Sequence, residues 1–289
     1  MAIAFLTLSI FSSTLINLIF RWFKTQNINK LQAIVTNYLV CFILGFLFSD
    51  NKNIVQNTQT EWFWYCLFLG CLFVVIFLAM AYTTDKISIS VNAVSSKMAV
   101  VIPILFAYLF MDERITSWFV IGLILSLLSI YLITVKSNLI IEPKYFALPL
   151  IVFIGSGIID ASLKLLQSNF DNQVELATLS YSIFLGAFVA GTLAYFILKK
   201  FNLTEITSRN IIAGVFLGIP NYFSIWFLLA AIQAFSLKSA FVFGVNNVGI
   251  VLLSTLLSVV IFKEHLSKKN IIGLILAATS IGIISYVNR

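Results

Sequence analysis

The sequence predicts an all-α integral membrane protein of ten transmembrane helices, arranged as two inverted five-helix repeats. Three observations carry this. The chain of 289 residues is 61% hydrophobic and only 10% charged, whereas soluble domains carry roughly a quarter charged residues. Its apolar runs are about 20 residues long, the helical length that crosses the roughly 30 Å hydrocarbon core, and spanning strands would need only about ten. Finally, one pattern occurs twice, 151 residues apart: Met111 to Leu125 and Phe262 to Leu276 each place a short charged break before an apolar run, aligning Glu113 with Glu264 and Gly122 with Gly273.

The predicted spans lie near 2–20, 31–49, 62–82, 88–110, 117–135, 146–166, 174–197, 210–233, 239–262 and 270–287. Span one has no basic residues ahead of its apolar stretch, and Arg21 and Lys24 follow it. It reads as a retained span rather than a cleaved signal. Trp62 and Trp64 open span three and Trp118 opens span five, as interfacial anchors would. Pro103 in span four and Pro220 in span eight each remove a backbone donor and predict kinks. Cys41, Cys66 and Cys71 lie in or beside apolar runs without metal-ligand spacing and read as small buried apolar residues.

The halves divide near Val135 to Tyr145, giving repeats over 1–135 and 146–289 within one membrane domain. Five is odd, so the second half enters the membrane from the opposite face. Further matches keep the same order in both halves. Phe68 to Gly70 matches Phe216 to Gly218, Leu78-Ala79 matches Leu229-Ala230, and Ser13, Asn17 and Arg21 match Ser156, Asp160 and Lys164 at an offset of 143.

The net charge of +7 sits mostly in the short breaks, where it orients a membrane protein and does not indicate nucleic-acid binding. Loops after the odd-numbered spans hold 12 Lys and Arg, against 4 in the remaining loops and the C-terminus. This bias places both termini outside.

Polar residues inside spans are expensive and face a bundle interior or cavity. Ser9, Ser13, Asn17 and Arg21 recur every four residues, as do Ser156, Asp160 and Lys164, with Gln167 three further on; each set shares a helical face. Arg21, at a span end, is expected to snorkel. Asp160 and Lys164 form an expected charge pair beside a cavity. Lys97, near the middle of span four, costs about 3 kcal/mol to insert at that depth. It is expected either to meet an anionic group of a substrate or to pair with Asp160 across the bundle. Asn92, Ser96, Asn17, Asn246, Tyr82 and Trp226 complete the candidate substrate-binding set. Asn246 and Asn247 match Ser95 and Ser96 at the 151 offset, and one of the two amides is expected to line a pathway while the other binds a neighbouring helix. Asn221 and Tyr222, beside Pro220, add weight to that region.

Enzyme chemistry finds no footing. His265 is the only histidine, and no zinc-protease, nucleophile-elbow, nucleotide-loop or CxxC motif occurs. No catalytic residue, metal or cofactor is expected.

At the paired hairpins the chain resembles the ten-helix, EamA-like transporters of the drug/metabolite transporter superfamily. The resemblance rests on Pro103, Glu113-Arg114-Ile115-Thr116 and Gly122-Leu123, and on Glu264, Leu266, Ser267 and Gly273 as their second copy. It covers the whole chain. It departs at Asp112, where the family has glycine, at Ser254, which stands where a second proline would match Pro103, and at His265, which replaces an arginine. The small multidrug relatives carry a glutamate in their first helix, where this chain has Asn17.

The resemblance implies secondary transport of small metabolites, amino-acid-like or anionic, in the direction of export, by alternating access in the bacterial inner membrane. It implies cytoplasmic termini, opposite to the charge bias. The expected partners are a small-molecule substrate, the lipid bilayer, and protons or another coupling ion, with Asp160 as the titrating group. Two other readings stay open: a flippase of lipid-linked carriers with the same fold, and a non-transporting membrane partner protein. The paired hairpins themselves are expected to cap or fasten neighbouring helices.

Overall fold

A computed structural model describes residues 1–26, 28–87, 89–111, 115–134, 143–170, 174–199, 207–236, 238–262 and 266–287. The described residues form helices and no strand. In chain order these are α1 (Ala2–Thr25), α2 (Lys30–Phe48), the single turn α3 (Ile54–Asn57), α4 (Glu61–Lys86), α5 (Ile89–Met98), α6 (Val101–Phe110), α7 (Ser117–Thr134), α8 (Ala147–Phe170), α9 (Leu176–Lys199), α10 (Ser208–Ala234), α11 (Ser239–Phe262) and α12 (Lys268–Val287). Among the described residues nine helical segments are long and apolar enough to cross a membrane, and Ser117–Ile133 is a shorter apolar helix. Helices suit this solvent because each backbone donor finds its acceptor within the segment. Side chains such as Phe68, Phe110 and Val260 stand about three-quarters exposed, as residues facing lipid would.

Span four is two helices rather than one. α5 ends at Met98 and α6 begins at Val101. The cause is Pro103: it has no N–H for the Ala99 carbonyl, and its ring crowds that carbonyl. The chain tightens instead, with Ile102 N donating to Ala99 O at 2.9 Å and Val100 N to Lys97 O at 3.4 Å. Pro220 has no such effect, since α10 runs unbroken through it.

The chain divides into two compact units, each drawing on both sequence halves. One comprises Met1, Ile3–Leu78 and Leu165–Gln233; the other comprises Ala2, Ala79–Lys164 and Ala234–Arg289.

In the first unit α2 lies along α9. α4 crosses α9 where a Cβ on Gly70 would come within 2.5 Å of Ala187 N, and one on Gly186 within 2.7 Å of Leu67 Cα. Such close backbone approach is how helices associate in lipid. Asn210 Nδ2 donates to Gln32 Oε1 at 2.7 Å and Asn221 Nδ2 to Asn37 Oδ1 at 3.0 Å, fastening α10 to α2.

In the second unit α7 and α12 are antiparallel neighbours. A Cβ on Gly122 would lie 2.6 Å from Ile284 Cγ1, and one on Gly273 2.7 Å from Ile133 Cγ1. Both glycines and both isoleucines are separated by the same 151 residues. Thr116 caps α7, its Oγ1 accepting from Phe119 N at 3.2 Å. Ser267 caps α12, its Oγ accepting from Asn270 N at 3.2 Å. The hairpin motif therefore supplies helix caps at Thr116 and Ser267. Glu113, Arg114, Glu264 and His265 lie outside the described residues.

Two smaller expectations change. Trp62 is buried rather than anchoring at an interface, while Trp64 and Trp118 are exposed. Cys41 and Cys66 are buried, but Cys71 is exposed.

Candidate functional site

The chemistry of the second unit gathers at the α5–α6 break. Lys97 is in the last turn of α5. That end carries unsatisfied carbonyls and the negative pole of the helix dipole, so it favours a cation. The first site consequence of Pro103 is thus a partly stabilised ammonium within an apolar span.

α8 supplies the opposite charge. Gly157 lets α6 approach closely: a Cβ there would lie 2.5 Å from Ile102 Cβ. Asp160 follows three residues later, on the same face of α8. The charge acting on Asp160 is that of Lys97, and the reverse holds for Lys97. Both side chains are partly buried, and no ion pair within 4.0 Å joins them among the described residues. Each charge is therefore compensated at a distance. Lys164 lies one turn further along α8, is buried and is engaged in interactions of its own.

Asn92 and Ser96 are on α5, one turn apart. The Ser96 hydroxyl donates to Ala93 O at 3.2 Å, within its own helix. Asn92 Oδ1 is buried with no hydrogen-bond partner. α11 contacts α5 and carries Asn246, also buried with an unpartnered Oδ1. Its neighbour Asn247 instead donates from Nδ2 to Phe243 O at 3.1 Å. Unpartnered buried amide oxygens cost roughly 1–3 kcal/mol each unless something else donates to them. Tyr82 is exposed at the end of α4. In the first unit, Asn17 is exposed on α1 and Trp226 meets Phe5 edge-on at 6.1 Å.

Sequence reading missed the interior of the first unit. Asn37 is fully buried on α2; its Oδ1 accepts from Asn221 and from Cys41, and its Nδ2 has no partner. Cys41 also donates to Gly218 O at 3.2 Å. An asparagine amid an apolar run was the available signal, but α2 offered no stripe to draw attention to it.

Residues 1–135 match the family model described as the EamA-like transporter family, which is part of the drug/metabolite transporter superfamily. Members of that family are transporters, not enzymes. A protein of Haemophilus influenzae, described as uncharacterized, is 29% identical over 295 residues, covering 98% of each chain. A solved crystal structure of a protein shares 13% identity, covers 100% of this chain and 98% of its own, and superposes with a TM-score of 0.74, which shows a shared fold. The apolar helices make this a multi-pass integral membrane protein, and its first 135 residues are similar to transporters of the drug/metabolite transporter superfamily.

Proposed function

We propose, with an EamA-like first half as premise, that the protein is a secondary active transporter of small metabolites carrying an anionic group, working by alternating access. The observation that carries the reading is the break between α5 and α6, which holds Lys97 at a helix end with Asp160 as its charged neighbour. Broken spans whose ends face substrate or coupling ion are a transporter device, and irregular backbone is tolerated at membrane depth only where protein or water surrounds it.

In this mechanism Lys97 receives the substrate's carboxylate or other anion. Asn92 and Asn246, each with a buried amide oxygen lacking a partner, accept hydrogen bonds from the substrate's donor groups. An amino-acid-like compound supplies both an anion and donors. Asp160 exchanges a proton as the substrate's charge arrives or leaves, coupling transport to a proton gradient. Lys164 holds the same face of α8. Ser96 and Tyr82 complete the lining within the second unit, Ser96 with its hydroxyl turned to its own helix.

The architecture proposed is ten spans in two inverted five-helix repeats, over 1–135 and 146–289, in a bacterial inner membrane. The reciprocal Gly122–Ile284 and Gly273–Ile133 contacts support it, because one symmetry operation relating the halves produces both.

The test is uptake by full-length protein in proteoliposomes, with a panel of radiolabelled amino acids and monocarboxylates, with and without a pH gradient. Accumulation of at least one compound, dependent on the gradient and lost in Lys97→Ala and Asp160→Asn, is the expected result. Accumulation of none, or equal rates in wild type and both variants, overturns the proposal.

A further inference from the structure

α10 changes partner partway along, and the change falls at Pro220. Ahead of the proline the helix is clamped to α2. A Cβ on Gly214 would lie 2.6 Å from Ala33 O, and one on Gly218 2.9 Å from Asn37 O. The two backbones touch along this stretch, as helices in lipid do at small residues. Asn210 Nδ2 donates to Gln32 Oε1 at 2.7 Å, and Cys41 Sγ donates to Gly218 O at 3.2 Å. Gly218 is the last glycine of α10, so the close approach has no means of continuing beyond it.

Past the proline the ties run to α1. Ser9 Oγ donates to Ser224 O at 3.1 Å. Phe5 meets Trp226 edge-on at 6.1 Å and stacks on Phe227 at 6.3 Å. Asn221 still reaches α2, through Nδ2 to Asn37 Oδ1 at 3.0 Å, but it sits beside the proline, where a bend displaces it least. Tyr222 and Phe223 touch α2 only through the ring of Phe48, which is itself exposed.

The helix is loosened at the same place, although it stays helical through Pro220. The proline has no N–H for the Phe216 carbonyl. The carbonyls of Gly218, Asn221 and Ser224 follow at intervals of three residues, and each takes a side-chain donor: Cys41 Sγ at 3.2 Å, Ser224 Oγ at 2.8 Å and Ser9 Oγ at 3.1 Å. Donors of this kind draw carbonyls away from the helical ladder, and a serine bonding back to its own helix bends it. They also keep those carbonyls satisfied while the ladder lengthens, so a bend here does not bare them to hydrocarbon.

α1 contains neither proline nor glycine and follows as a rod. Its far end is held in a buried cluster of Phe23, Ile28, Ala33, Ala213 and Leu217, which joins it to α2 and to the first half of α10. A rod fixed at one end and tied to a moving partner near the other tilts about the fixed end. We infer that α10 bends at Pro220 and that its second half carries the N-terminal part of α1 with it, while α2 and the first half of α10 stay together. The second half, Asn221 to Gln233, is about 20 Å long, so a bend of about 10° moves its end by roughly 3.5 Å. This pivot concerns α1 and α10 alone and does not rest on the transport reading.

The test is pulsed electron spin resonance on the full chain in nanodiscs, with no transport measured. Nitroxide labels go on exposed positions in a Cys71→Ser background, because Cys71 is an exposed native thiol. Ile43→Cys on α2 with Ile212→Cys on α10 reports the clamped pair. Ile43→Cys with Ile3→Cys reports the tip of α1. All three isoleucines are exposed. The first pair is expected to give one narrow distance distribution, unchanged by Pro220→Ala. The second is expected to be broader by roughly 2–3 Å, from the arm length, and to narrow to the width of the first in Pro220→Ala. Pro220→Leu replaces that variant if it does not fold, and the comparison of the two pairs in wild type stands without either. Equally narrow distributions in wild type overturn the pivot. So does an Ile43–Ile3 width that stays unchanged in a folded Pro220 variant. Equal broadening of both pairs overturns it too, because α2 and the first half of α10 would then not move as one.

Discussion

Gly157 of α8 lies against Ile102 of α6, so closely that a methyl group on the glycine would sit 2.5 Å from the isoleucine Cβ. That contact seats the broken span on α8 one turn before Asp160. Gly157→Ala is expected to destabilise the protein by about 1–3 kcal/mol through overpacking. Ile102→Ala in the same chain returns part of the loss, because the clashing atoms are gone. A double-mutant cycle of unfolding in detergent measures the coupling. Additive effects would show that the two residues do not constrain each other.

Lys97 and Asp160 act on each other's charge, so removing one leaves the other uncompensated. Lys97→Met and Asp160→Leu are each expected to cost about 1–3 kcal/mol, less than for a fully buried pair because both side chains are partly exposed. The double variant recovers most of that stability. Transport in proteoliposomes is lost in all three. Recovery of transport with stability would mark the pair as structural only.

Asn246 and Asn247 separate function from folding most cleanly. Asn246 Oδ1 is buried without a partner, so Asn246→Leu removes an unsatisfied acceptor and leaves stability unchanged or raises it by up to about 1 kcal/mol. Substrate affinity falls about tenfold in the same variant, read from the concentration dependence of uptake. Asn247→Leu gives up only the local bond to Phe243 O and leaves uptake intact.

The caps Thr116 and Ser267 hold opposite ends of the antiparallel α7–α12 pair. Thr116→Ala and Ser267→Ala are expected to cost about 1 kcal/mol each. The double variant should equal the sum within about 0.5 kcal/mol, since the sites share no partner. Detergent unfolding of the three variants checks this.

Much of the fold was legible because a membrane demands long uniform apolar runs, and the duplicated pattern around Gly122 and Gly273 set helix positions by analogy. Pro103 announced a kink, and Lys97 and Asp160 announced themselves by their cost in hydrocarbon. What stayed hidden depends on distances between elements remote in sequence. Pro103 breaks its helix while Pro220 does not, and the two differ in the surroundings that re-satisfy the freed carbonyl rather than in local sequence. The buried network joining Ser49 to Thr178 and Asn57 to Tyr181 was invisible for a related reason. Ser49, Asn57, Thr178 and Tyr181 are ordinary loop and helix-end residues until α2 and α9 bring them together.

The interruption at Ala99 and Val100 also has a mechanical side. α5 and α6 are rods of 10 residues each, about 15 Å long, meeting at a joint with few helical hydrogen bonds left to break. A swing of about 10° at that joint carries a rod's far tip through roughly 2.6 Å, given that length. Lys97 sits beside the pivot, so it moves least. Asn92, five residues beyond Lys97 along α5, travels roughly two-thirds as far as the tip. On the alternating-access reading proposed above, a hinge there changes which groups surround the ammonium while the ammonium itself stays in place, as a fixed post around which a gate turns.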